Sequence, residues 1–209
     1  MSHRFRVGEE AIRVAIVHDW LVTIGGAEKV LIELLRLFPD ADLFSIVDLL
    51  DEKRRAKLFG KRAKSSFIQR LPFKKHFRLY LPLFPKAVES FDLREYDLII
   101  SSSWAFAKGI KKHPHQKHIC YCHTPIRYAW DLRDEYLLQT PLPMRPIVGA
   151  VLAWIRLWDQ KSAKRVDRFI ANSTCVQERI RHIYHRESTL IHPPVDVHRF
   201  TPQKKEDYY

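Results

Sequence analysis

Short apolar, β-branched runs separated by helix-length stretches constrain this chain more than any other feature. Residues 13–20 (RVAIVHDW) are the first such run, suited to a strand buried on both faces of a parallel sheet. Gly25 and Gly26 follow. From 27 to 37 (AEKVLIELLRL), Val30, Leu31, Leu34 and Leu35, with Phe38 beyond, fall on one face of a helix that Pro39 ends. The alternation resumes with expected strands at 42–47, 96–101, 117–122, 168–171 and 189–191. Helices are expected at 144–166 and 174–184, the second capped near Ser173 or Thr174. Repeated strand–helix–strand units predict an α/β fold, a doubly wound parallel sheet of Rossmann type. A chain of 209 residues accommodates one such domain, placed at 12–200 between a polar leader (1–11) and a polar tail (201–209). Residues 60–91 break the rhythm, because Pro72, Pro82 and Pro85 interrupt a basic, aromatic stretch, and an elaborated connection is expected there.

Composition narrows the partners. Hydrophobic residues at 46% and charged residues at 29% exclude a disordered or fibrous chain. A formal charge of +12, from 36 Lys and Arg against 24 Asp and Glu, attracts phosphate on nucleotides, nucleic acid or anionic lipid. No nucleic-acid recognition module is present, so nucleic acid is not an expected partner. Three cysteines are too few for a disulfide framework, and a cytoplasmic location is expected. The start carries no signal-peptide run, and the longest apolar run, 147–158, is interrupted by Arg156 and falls short of the roughly 20 residues needed to cross a bilayer. Within 67–91, Arg70, Lys74, Lys75, Arg78 and Lys86 sit among Phe73, Phe77, Leu79, Tyr80, Leu81, Leu83 and Phe84. That pattern suits peripheral contact with an anionic membrane. It equally suits a charged face packing its apolar side on the domain.

Open parallel sheets bind ligands outside the carboxyl ends of their strands, so residues just after strands carry most weight. Gly25-Gly26-Ala27-Glu28 opens a helix and exposes backbone N–H groups to a phosphate, or simply makes a tight turn. With two glycines, neither the dinucleotide fingerprint nor a P-loop is matched. His123 follows a strand directly, with Arg127, Tyr128 and Trp130 close behind, and a guanidinium with aromatic rings can clamp phosphate and stack on sugar. Cys120 and Cys122 would lie about 6.6 Å apart on one strand face at roughly 3.3 Å per residue, which disfavours a shared metal ion and favours buried thiols. Ser173 is placed to cap a helix or touch a ligand, and Asp196 lies in a proline-stiffened segment (192–200) that reads as a hinge or crossover.

In order along the chain, VAIVHDWL, GGAEKVL, YDLIISSSWAFAKG, HICYCHTPIRYAWD and FIANSTCVQERI with IHPPVDVHRF resemble the amino-terminal domain of glycosyltransferase family 4, especially bacterial mannosyltransferase-like members that build O-antigen or exopolysaccharide. The resemblance implies a GT-B fold, with the acceptor held mainly by the first domain and the nucleotide-sugar by a second. It also implies retention of configuration without a required metal or other cofactor. By position, Gly25 and Gly26 are expected to offer N–H groups to the donor diphosphate. His123 matches the histidine that approaches the transferred sugar, Arg127 and Trp130 are expected to line the acceptor side, and Asp19 to orient an acceptor hydroxyl. The family's donor domain would begin where this sequence ends, so residues 201–209 are expected to lead toward it, and little activity is expected without it. A non-catalytic, ligand- or partner-binding domain is the alternative.

Overall fold

A computed structural model describes residues 6–7 and 10–197. The tail at 201–209 and most of the leader lie outside the described residues. Within the leader, β1 (Arg6–Val7) pairs antiparallel with β2 (Glu10–Ala11). The domain is built on seven further strands: β3 (Val14–His18), β4 (Asp42–Ser45), β5 (Lys64–Ser65), β6 (Leu98–Ser103), β7 (Lys117–Cys122), β8 (Arg168–Ala171) and β9 (Ser188–Leu190). All are parallel, in the order β5-β4-β3-β6-β7-β8-β9. The helices are α1 (Gly26–Leu37), α2 (Glu52–Arg55), α3 (Phe84–Glu89), α4 (Arg133–Gln139), α5 (Arg145–Ala163) and α6 (Thr174–Tyr184).

The sheet is covered on both faces, which is why its central strands are largely apolar. Along β3, Val14 and Ile16 pack with Leu31 and Leu35 of α1, whereas Ala15 and Val17 join a core containing Phe84, Phe106 and Ile155. Each is buried, and removing such a side chain forfeits roughly 2–5 kcal/mol. A third cluster packs Cys120 and Cys122 with Phe169, Ile180 and Tyr184.

From β3 the chain winds outward through β4 to β5, then returns to place β6 on the other side of β3. The winding direction therefore reverses between β3 and β6. A crevice opens outside the carboxyl ends of adjacent strands at such a reversal.

The connection over residues 60–91 is irregular, as its prolines demand. It contains the edge strand β5, 3-10 turns at Phe67–Arg70 and Lys74–Leu83, and α3. His76 and Tyr80 depart from helical backbone inside the second run. Part of its apolar surface anchors it: Ile68, Phe77 and Phe84 are buried, and Phe77 stacks on Phe84 at 6.0 Å. The two-residue strand β5 was not expected, because so short an edge has no apolar pattern of its own.

Candidate functional site at the β3–β6 reversal

The carboxyl ends of β3, β6 and β7 bring three side chains into line. His18 closes β3, and parallel register sets it opposite Ser102 of β6. His123 follows β7, where its N–H donates to the Ser103 carbonyl at 2.8 Å and continues the ladder by one bond. The Ser102 hydroxyl lies 3.1 Å from His18 Nδ1 and 2.9 Å from His123 Nε2. On the far side of the fully buried His18 ring, Nε2 faces Glu28 Oε1 at 3.5 Å, at the long limit of a hydrogen bond and with no nearer partner.

Glu28 sits in the first turn of α1, where the Gly25 N–H donates to its Oε2 at 2.7 Å. This closes the first turn much as a capping box does. Burial pushes the Glu28 carboxyl up, but the neighbouring His18 ring and the Gly25 amide outweigh it and hold the group below its ordinary range. A polar chain thus runs Glu28, His18, Ser102, His123 from α1 across the carboxyl ends of three adjacent strands.

His123 is half-buried against Trp104 (6.0 Å between centroids) and Tyr121 (5.2 Å). Burial, with the neighbouring His18 ring next, pushes its pKa from 6.5 down to about 3, so the ring is neutral near pH 7. Its Nδ1 has no protein partner among the described residues.

Asp19 has a different place from the one expected. It is fully buried, and each carboxylate oxygen accepts two amides: Trp104 N (2.7 Å) and Ala105 N (3.0 Å) on Oδ2, Phe106 N (2.6 Å) and Ala107 N (2.7 Å) on Oδ1. Burial pushes the carboxyl up while these amides pull it down. Asp19 pins the turn that follows β6 and presents no free face to an acceptor hydroxyl.

The two glycines also separate. Gly25 has its N–H committed to Glu28, so it does not offer that group to a diphosphate. The Gly26 amide, at the start of α1, has no partner among the described residues, and nothing lies within 4 Å of where a Gly26 Cβ would stand. One amide with open space above it, at a helix amino terminus, retains the capacity for an anion.

Arg127 is exposed, and among the described residues its guanidinium has no ion pair. Tyr128 packs against Tyr136 at 5.8 Å. Trp130 is not brought to His123. Its Nε1 donates to Asp159 at 2.8 Å, the Arg156 guanidinium lies 4.1 Å from its ring centroid, and its edge lines a cavity with Cys175 and Arg179 beside α6. Ser173 caps α6, its hydroxyl accepting from Val176 N at 3.3 Å. Asp196 is exposed on the segment after β9. Cys120 and Cys122 are buried, as expected of structural thiols, and the neighbouring Cys120 thiol, with burial, pushes Cys122 well up.

Sequence reasoning did not assign roles to His18, Ser102 or Glu28. The available signal was polar residues at the carboxyl ends of otherwise apolar strands, where burial without purpose is costly.

A doubly wound α/β domain with polar groups gathered at its winding reversal belongs to the Rossmann-like class that takes ligands at that edge. Residues 24–199 match the sequence profile of Glycosyltransferase Family 4, and the chain belongs to that family. The solved structure of Anabaena Alr3699/HepE in complex with UDP and glucose superposes with a TM-score of 0.55 at 18% identity, over 92% of this chain and 47% of that one. The apo form of lipopolysaccharide outer core galactosyltransferase WaaB superposes with a TM-score of 0.47 at 16% identity, over 89% of this chain and 47% of that one. This chain thus spans about half the length of the solved structures it matches. Among curated protein sequences none matches significantly. The fold is that of the amino-terminal Rossmann-like half of a GT-B glycosyltransferase.

Proposed function

We propose that this chain is the acceptor-side domain of a retaining hexosyltransferase, working with a donor-binding domain to move a sugar from a nucleotide-sugar to a glycan or lipid-linked acceptor. Mannose is the candidate sugar and cell-surface polysaccharide the candidate product, both on the likeness of the sequence motifs to that branch of the family. The observation that carries the reading is the neutral His123 imidazole, set at the winding reversal on a chain of buried polar partners. The UDP and glucose bound to HepE, a protein of the same fold, support a nucleotide-sugar donor.

In this reading Gly26, at the α1 amino terminus, faces the donor diphosphate, where an N–H donor and the helix dipole favour charge developing on the leaving group. His123 contacts the transferred sugar, and Arg127 meets the acceptor. Neither a metal nor another cofactor is required, so chelation with EDTA should leave transfer unchanged. In this division the donor's binding groups belong to the donor domain, and transfer should appear only when a family-like donor domain is present, fused or mixed. Turnover by the 209-residue chain alone would contradict this division of labour.

A peripheral location on the inner face of a membrane belongs to the same proposal. Phe73 and Leu79, each 75% exposed, stand beside the exposed Arg70, Lys74, Lys75 and Arg78. On α4 and α5, Leu138, Ile147 and Leu157 are exposed in a stretch with no Asp or Glu between Tyr136 and Trp158. Among the described residues no helix is long and apolar enough to cross a membrane. Co-sedimentation with anionic but not neutral vesicles at low salt is expected, and its absence would remove the membrane from the account.

A further inference from the structure

The polar chain behind His123 has a direction, and its fixed end is a carboxylate. Glu28 is held in its ionised form and can only accept hydrogen bonds. In the state in which each ring carries one proton, the His18 nitrogen facing Glu28 must carry it. The reverse arrangement would set the bare Nε2 against Oε1, lone pair to charge, inside a fully buried site. His18 Nδ1 is then the acceptor, and the Ser102 hydroxyl spends its single proton on it. The Ser102 oxygen in turn accepts from His123 Nε2. The only ring nitrogen left bare at the end of the chain is His123 Nδ1.

We propose that Glu28, His18 and Ser102 are positioning residues that lock His123 in its Nε2–H tautomer, leaving Nδ1 as a hydrogen-bond acceptor for a ligand hydroxyl. A bare nitrogen repels an anionic oxygen and attracts an O–H donor. Within the transferase reading, on which this rests for the identity of the ligand, His123 therefore takes a hydroxyl of the sugar. Phosphate is left to the amide of Gly26. The chain also explains a buried histidine, a buried glutamate and a buried serine at the ends of otherwise apolar elements.

The test is the tautomer itself, read by long-range proton–nitrogen correlation spectra of the 209-residue chain at pH 8, with His123 assigned by its disappearance in His123→Gln. No substrate enters the measurement, so its failure and the failure of the transferase reading are separate events. Wild type is expected to show His123 protonated on Nε2 alone. Glu28→Gln places a side chain at the fixed end that can donate as well as accept, and is expected to release the direction, giving a mixture of both His123 tautomers. Ser102→Ala is expected to do the same, whereas Ser102→Thr, which keeps the hydroxyl, should retain the wild-type signal. A merely structural role would lower the unfolding midpoint without moving the tautomer. An Nδ1–H ring in wild type, or an unchanged tautomer in folded Glu28→Gln and Ser102→Ala, would overturn the proposal.

Discussion

Two buried polar networks lie on either side of β7, and they are finished differently. Around Asp159 of α5, every group is satisfied: Lys108 forms a buried ion pair with it, and Trp130 Nε1 (2.8 Å) and Tyr184 Oη (2.9 Å) donate to it. That network ties the turn after β6, the turn after β7, α5 and α6 into one unit. The Glu28–His18–Ser102–His123 chain has a long contact at one end and an unpartnered nitrogen at the other. A saturated network in a dry interior fixes architecture. A chain that stops at a half-buried ring with a free lone pair is left open for a ligand, and the contrast separates residues that hold the domain from residues that serve it.

The largest expected effect falls on the saturated side. Asp159→Ala strands the Lys108 ammonium in the core and should cost roughly 3–5 kcal/mol in urea unfolding, whereas replacing both partners by apolar residues should recover much of that loss. Recovery would show that the penalty comes from the orphaned charge. Next is Gly109→Ala, where an added Cβ would collide with the Trp158 ring, itself held by a hydrogen bond from Nε1 to Glu89. Overpacking there should cost about 1–3 kcal/mol, read as a lowered thermal midpoint.

Near neutral pH the open side should respond weakly in stability, and its full response should appear only on acidification. Ser102→Ala should shift unfolding by only about 1 kcal/mol. The folded-state pKa of His123 lies at about 3, against 6.5 for the free group, so the neutral ring is the folded form. As pH falls below 6.5 the unfolded chain binds a proton that the folded chain refuses. Stability is therefore lost on acidification from 6.5 down to about 3 and levels off below. In His123→Gln the slope over that window should be shallower by about 1.4 kcal/mol per pH unit, measured by chemical unfolding at several pH values. An unchanged slope would mean that the ring titrates as an exposed one.

Legibility in the sequence divides along the same line. Strands β7 and β8, and helix α6 with its Ser173 cap, were readable because their signals are local: an apolar run, or a hydroxyl three residues ahead of the amide it accepts. The anchoring residues of the 60–91 connection are not separable in the sequence from its exposed ones, since Phe77 and Leu79 differ only in what stands opposite them. Lys108 reads as one more cation in a basic chain, because its partner is 51 residues away. Likewise the histidine chain needs strand register: His18, Ser102 and His123 come from three separate segments, and only the order β3-β6-β7 aligns them. His123 alone was legible, through its position after a strand and its family motif. Asp19 was misjudged for the same reason, since the four amides that consume its carboxylate belong to residues 104–107.

The most direct test of the account is the sugar-transfer rate of this domain joined to a family-like donor domain, with His123 intact and with His123→Ala. The account predicts transfer by the joined wild type and a loss of about 100-fold or more in the variant, with the unfolding midpoint little changed. A joined enzyme that transfers sugar equally well without the imidazole would contradict it.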